Sequence, residues 1–192
     1  MSNQLSADLI IEAYKQGIYP MGTDYGLRWF APAWRGIIEL DHFHVSRRLA
    51  RKYRQRVFTM KINTAWNEVL FHVANKENTW LSEEMKDAYT ELHYRGLAHS
   101  IEAYAGDKLA GGLYGVNVGG AFMAESMFHL VTDASKFCLV YLVEILKKQG
   151  FVLLDTQDFS EHKRSFGAIL ITKEQYLERL AHAITLKRRF IS

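Results

Sequence analysis

The sequence predicts an α+β fold, a mixed α/β sheet with helices on its faces, and three observations carry that prediction. Alternating strand-like segments follow one another from Ala98 to Phe128, separated by a Gly106-Asp107 turn and a Gly119-Gly120 turn, as in an antiparallel meander. Capped segments of helical period stand before and after the meander. The apolar run Phe151-Val152-Leu153-Leu154 comes directly after a helix that stops at Gly150, a connection that gives a buried strand a parallel neighbour.

Each element has a local reason. Ser6 caps a first helix with Leu9, Ile10, Ala13 and Tyr14 on one stripe and Gly17 as its stop. Tyr19 to Trp34 holds both prolines, Pro20 and Pro32, with Tyr25, Trp29, Phe30 and Trp34; it reads as an irregular, aromatic-rich loop that packs on or binds something. Ile37, Ile38 and Leu40 make a short strand, Ser46 caps a basic helix, and Val57 to Ile62 makes another strand, closing a small N-terminal domain over residues 1–62. The larger unit, 63–192, opens with a helix capped by Asn63 and carrying Trp66, Val69, Leu70 and Val73. Ser82 caps the next, with Glu83, Glu84 and Asp87 in its opening turns and Gly96 beyond its end. After the meander, Asp133 caps the helix of Phe137, Val140, Tyr141 and Glu144. A last strand around Ala168 to Ile171 leads into Thr172-Lys173-Glu174-Gln175, a capping box that opens the final helix. This order is compatible with a GNAT-like acyltransferase domain, although a fold by itself assigns no chemistry.

Composition narrows the class. With 192 residues, 48% hydrophobic and 23% charged, the chain can bury one sizeable core, which excludes wholesale disorder. Phe137 to Leu146 is about half the length needed to cross a bilayer and contains Glu144, so no membrane association is expected. Met1-Ser2-Asn3-Gln4-Leu5 has no secretory pattern and Cys138 is the only cysteine, so a cytoplasmic location is expected. The net charge is only +3, but Arg47, Arg48, Arg51, Lys52, Arg54 and Arg56 put six cations and no acids into one short segment. The other 18 basic residues are outnumbered by 21 acidic ones, so the positive excess sits in that segment. It is either a polyanion-facing patch or a solvated helix face.

Few residues are placed for chemistry. Glycines 111, 112, 115, 119 and 120 fall in strands or at a hairpin, where close packing or a bulge explains them better than a phosphate loop. Of eight histidines only His42 and His44 form a tight pair, and no metal is predicted. Ser126 lacks the flanking glycines of a nucleophile elbow, and Cys138 lies in an apolar helix. The better candidates are Glu125, among strand residues, and Asp155, at the carboxyl end of a buried strand; the alternative for Asp155 is a turn or capping contact. Leu139, Leu142 and Leu146 form one stripe at helical spacing, either core or the wall of an apolar pocket.

Ten stretches in order resemble the leucyl/phenylalanyl-tRNA–protein transferase family. They are Gly17-Ile18-Tyr19-Pro20, Trp29-Phe30-Ala31-Pro32, His44-Val45-Ser46-Arg47, Thr79-Trp80-Leu81, Ala98 to Glu102, Gly111 to Val116, Glu125-Ser126-Met127-Phe128, Ala134-Ser135-Lys136, Asp155-Thr156-Gln157 and Ser165 to Ala168. The resemblance implies an enzyme that moves Leu or Phe, less often Met, from aminoacyl-tRNA to proteins beginning with Arg or Lys, marking them for N-terminal-rule degradation. It implies a small N-terminal domain before a GNAT-like catalytic domain, with no cofactor and no metal. The family's acidic and amide pair falls on Asp155 and Gln157, and its glutamate on Glu125: Gln157 would orient the amine, Glu125 would fix Gln157, and Asp155 would stabilise the developing proton or cation. Trp80 would meet the 3′-terminal adenosine, with Met21 where the family's usual pattern has a stacking Trp. Leu113, Met127, Leu139, Leu142, Leu146 and Leu154 would line the pocket for the aminoacyl side chain, and the segment from Arg47 to Arg56 would hold acceptor-stem phosphates. Thr156, Ala124 and His129 depart from the family's Cys, Gly and Ser. The alternatives are a GNAT-type acyl-CoA acyltransferase and a non-catalytic tRNA-binding relative.

Overall fold

Nine strands, seven α-helices and one short 3-10 turn make up the described part of a computed structural model, which covers residues 5–77 and 79–190. The opening four residues, on which part of the N-terminal reading rests, lie outside it. The mixed α/β expectation holds. Seven strands form one sheet in the order β4(Thr59–Ile62), β5(Ala98–Ala105), β6(Lys108–Val118), β7(Ala121–His129), β8(Leu153–Gln157), β3(Trp34–Ile38), β9(Ala168–Thr172). Every pairing is antiparallel except β7 with β8, the parallel neighbours that the helix-then-apolar-run connection requires.

Helices cover both faces. On one side α1(Ala7–Lys15), α3(Trp66–Ala74), α4(Glu83–Tyr94) and α7(Lys173–Thr185) bury Ile10, Val69, Met85 and Leu180 with Tyr114 and Val116 of the sheet. On the other, α5(Ala134–Lys148) and α2(Arg47–Arg54) bury Phe137, Leu142, Leu146 and Leu49 with Leu113 and Leu154. Each fully buried leucine contributes roughly 1.5–3 kcal/mol, and successive sheet residues serve opposite cores, as strand alternation demands. No described helix is long and apolar enough to cross a membrane.

Several local expectations change. The stretch Tyr19 to Trp34 is not irregular: β1(Tyr19–Thr23) and β2(Gly26–Phe30) form a separate hairpin, in which Pro20 is tolerated because a two-stranded ribbon consists of edges. The 1–62 and 63–192 division is not followed by the sheet, since β3 lies between β8 and β9 and β4 pairs with β5. Asn63 does not cap α3; it takes a left-handed φ of 57° and accepts from the Ser100 amide, while the buried Glu102 carboxylate receives the Thr64 and Ala65 amides. Asp133 occupies the N-cap position of α5, but its side chain makes no cap hydrogen bond.

Candidate active site

The parallel strands pair only from Ala121↔Leu153 to Met123↔Asp155, and then part. Beyond that point each strand carries a bulge. On β7 the register jumps from Ser126 opposite Tyr114 to Ala124 opposite Gly115, leaving Glu125 as the extra residue. On β8 it jumps from Gln157 opposite Gly36 to Asp155 opposite Ile37, leaving Thr156 over. A bulge bends its strand and re-aims a side chain. Two bulges facing each other across the gap turn Glu125 and Gln157 together, and the Gln157 amide nitrogen donates to both Glu125 oxygens at 3.0 Å. Gly36 is required there, because a Cβ would stand 2.2 Å from the Asp158 carbonyl oxygen.

Gln157 has a φ of 61°, a conformation that costs a non-glycine residue roughly 1–3 kcal/mol and persists only where its surroundings hold it. Asp155 does so: its Oδ1 accepts from the Gln157 backbone amide at 2.8 Å. Asp155 is fully buried and also accepts from Arg35 Nη2 at 2.7 Å, from Arg35 Nε at 3.0 and 3.1 Å, and from the Tyr176 hydroxyl at 2.7 Å. Arg35 lies between the Tyr19 and Tyr176 rings, 4.5 and 4.6 Å from their centroids. Its remaining nitrogen donates to the Gly17 carbonyl at 3.2 Å. The clamp thus joins α1's end, β3, β8 and α7.

Glu125 is buried and, among the described residues, has no cation in direct contact. The Tyr14 hydroxyl donates to it at 2.6 Å, Tyr89 stands at 3.4 Å, and the two hydroxyls meet at 2.8 Å. Burial pushes its carboxyl up to about 7, with the Tyr14 and Gln157 hydrogen bonds opposing the rise. Burial likewise drives the Cys138 thiol up, which leaves it without nucleophilic character.

Beside Glu125 opens a cavity of about 250 Å³ lined by Ile38, Trp80, Leu113, Met127 and Leu139 among apolar residues, with Lys76, Asp158 and Lys163 at polar positions. It is apolar with a few convergent polar groups, the usual character of a small-molecule site. The β1–β2 hairpin abuts it: the Gly22 amide donates to the Trp80 carbonyl at 3.0 Å.

A family model described as leucyl/phenylalanyl-tRNA protein transferase matches residues 37–181, and the corresponding N-terminal domain model matches residues 3–33. The chain belongs to the leucyl/phenylalanyl-tRNA protein transferase family. The protein so named from Rubrobacter xylanophilus is 47% identical over 191 residues, covering 97% of this chain and 99% of that one. Its counterpart from a Ruegeria species is 43% identical, with 98% and 91% covered. The structure of L-PGS from Bacillus licheniformis superposes with a TM-score of 0.52 at 14% identity, covering 86% of this chain and 68% of that one, a likeness of fold.

The transferase-family residues named from the sequence separate into groups. Glu125, Asp155 and Gln157 are joined by direct hydrogen bonds, and Trp80, Leu113, Met127 and Leu139 line the cavity. Leu142, Leu146 and Leu154 do not: all three are fully buried in the core behind α5, because the helix passes the cavity only at Leu139. Met21 packs against the other core from the hairpin. Arg47, Arg51, Arg54 and Arg56 are exposed on or beside α2, whereas Arg48 and Lys52 pair with Asp133 at 3.3 and 2.8 Å. Sequence reasoning missed Arg35, Tyr14 and Tyr89. Arg35 shares a strand face with the buried Ile37, a placement that calls for a buried carboxylate partner.

Proposed function

We propose that the Glu125–Gln157 pair at the mouth of the apolar cavity aligns an α-amine against the ester of an aminoacyl-tRNA, so that Leu or Phe passes to the N-terminus of a protein. The chain, as a member of its family, is an aminoacyltransferase with aminoacyl-tRNA as donor and a protein as acceptor. The observation that carries the residue roles is the twofold hydrogen bond of the Gln157 amide nitrogen to Glu125, which turns the amide oxygen toward an incoming amine.

The donor ester is already activated, and alignment of two reactants can supply about 7–11 kcal/mol of a barrier. The donor side chain enters the space between Leu113, Met127 and Leu139, and Trp80 meets the terminal adenosine. The amine nitrogen bonds to the ester carbonyl carbon, the carbon–oxygen bond to the ribose breaks, and the leaving oxygen gains the proton that the amine loses. A free α-amine has a pKa of about 7.7–8.0, close to that of the raised Glu125 carboxyl, so the two exchange a proton at little cost. Asp155 acts differently from the charge-stabilising role expected of it. Its charge is matched by Arg35 and its oxygens are occupied, so it positions Gln157 rather than meeting substrate.

Acceptors beginning with Arg or Lys suit the cavity's carboxylates, Glu125 and Asp158, and transfer to them in the cytoplasm would mark them for degradation. Incubation with labelled Phe-tRNA or Leu-tRNA and peptides differing only in the first residue tests the reading. Label should enter the Arg- and Lys-starting peptides. Incorporation indifferent to the first residue overturns the acceptor assignment, and no incorporation from either donor overturns the reaction.

A further inference from the structure

Next to the reaction cavity lies a second and larger hollow, of about 770 Å³, between the end of α3, the end of β7 and the start of α5. The two share Lys76 and Met127 as common wall. The second is lined by three histidines, His72, His129 and His162, and by Lys76 and Lys136.

The acid in its lining, Asp133, does not balance these cations. Its carboxylate is shared by Lys52 at 2.8 Å, Lys136 at 3.0 Å and Arg48 at 3.3 Å, and those ion pairs hold its pKa down at about 2. Three cations on one carboxylate leave a surplus of positive charge on the rim. Lys76 has no carboxylate partner among the described residues; it donates to the Ser126 hydroxyl at 3.3 Å and to the Met127 carbonyl. His162 shows the crowding from the other side: its pKa is lowered by burial and then by Lys136, Lys163 and His129.

Asp133 also ties the hollow to the basic helix. Arg48 and Lys52 reach it from α2, so positive groups run unbroken from Lys76, through Lys136, to α2. A polyanion lying on α2 and ending in the reaction cavity has to cross this ground.

Resting on the donor reading above, we infer that the hollow between α3, β7 and α5 binds the phosphodiesters just upstream of the donor's aminoacylated 3′ nucleoside, through Lys76, His129, Lys136 and His162. An acidic segment of the acceptor protein is the competing occupant. The short, single-stranded RNA end fits better because the hollow opens onto the donor side of the wall, at Met127, and joins α2 at its far end.

The test compares three donors with one acceptor: phenylalanyl-adenosine, which has no phosphate, phenylalanyl-CCA trinucleotide, and Phe-tRNA. The enzyme is wild type or carries Lys136→Gln, His129→Ala and His162→Ala together, positions that are exposed or half-buried. In the triple variant the kcat/KM ratio of the trinucleotide to phenylalanyl-adenosine should fall about tenfold or more, with KM of the trinucleotide rising and the loss shrinking at high salt. Lys136→Arg should restore part of the ratio. An unchanged ratio overturns the site, whether both donors suffer equally or neither does, and so does a loss confined to the acceptor's KM. If no donor supports transfer, the donor reading has failed, and the site is then read by fluorescence anisotropy of a labelled CCA oligonucleotide. Binding that the triple substitution leaves unchanged overturns it on that measurement alone.

Discussion

Arg35 and Asp155 form a two-pronged ion pair sealed from solvent on both sides, with nitrogen and oxygen 2.7 Å apart and side chains 2% and 0% exposed. That seal assigns Asp155 its task. A carboxylate with its charge matched and its lone pairs filled does not meet a substrate; it fixes what it touches, here the Gln157 amide.

Removing one side of the pair should therefore cost stability as well as transfer. Arg35→Met leaves an uncompensated buried carboxylate and is expected to lose about 3–5 kcal/mol in urea unfolding. Arg35→Lys keeps the charge but not the fork, and should retain the fold while lowering kcat more than donor KM. Equal stability of Arg35→Met and wild type refutes the clamp.

Asp155→Asn keeps the shape of the side chain and removes its charge, leaving Arg35 buried and unpaired. Transfer at saturating donor and acceptor should fall by roughly 10²-fold, because the Gln157 backbone at φ 61° loses its anchor. Full transfer by this variant counts against any role for Asp155.

Burial raises the Glu125 pKa to about 7 from 4.5, and the sign follows from linkage. The folded protein holds this proton more tightly than the unfolded chain, so the contribution to stability is complete below pH 4.5 and is lost as pH rises through about 7. Glu125→Gln, neutral at every pH, should gain in Tm relative to wild type as pH goes from 5 to 8.5, by several degrees. A Tm difference flat across that range shows that Glu125 is not held up by burial. In the wild type, kcat should rise through the same interval as the ionised carboxylate takes hold of the Gln157 amide, and Glu125→Gln should lack that inflection.

Two leucines on one helix separate pocket from core. Leu139→Phe narrows the cavity and should lower transfer of Phe relative to Leu by about tenfold, read from competing donors. Leu142→Ala, one turn further along α5, should cost about 2–5 kcal/mol of stability and leave the Phe-to-Leu ratio alone.

The six cations of the basic segment should divide likewise. Arg51→Glu with Arg54→Glu removes exposed charges, weakening tRNA binding most at low salt and flattening its salt dependence by about 0.9 for each duplex phosphate that is no longer neutralised. Lys52→Ala with Arg48→Ala should also loosen α2 from α5, since Asp133 keeps only Lys136. Identical salt slopes for the first pair and wild type exclude α2 from the RNA interface.

Much of the local structure was legible because it is written in short-range chemistry. Ser6, Ser46 and Ser82 cap their helices, Gly17, Gly96 and Gly150 end helices with positive φ, and Thr172 with Gln175 closes a capping box. The parallel β7–β8 pair followed from the connection through α5. What was not legible depends on partners far away in sequence. Nothing near Trp34 announces that β3 enters the sheet between β8 and β9, and the bulges at Glu125 and Thr156 appear only when two strands are laid side by side. Tyr14 and Tyr89 sit on apolar helix stripes, where their hydroxyls look incidental until Glu125 is placed between them. The three-and-four spacing of Leu139, Leu142 and Leu146 gives the buried face of α5, but not which turn of it reaches the cavity.

The most direct measurement is single-turnover transfer of labelled phenylalanine from Phe-tRNA to an Arg-starting peptide by wild type and Gln157→Ala, with donor binding followed in parallel. Removing the amide that faces the amine should slow the transfer step by about 10²-fold or more while donor affinity stays within about threefold. Transfer by Gln157→Ala at the wild-type rate would show that the pair at the cavity mouth does not align the amine.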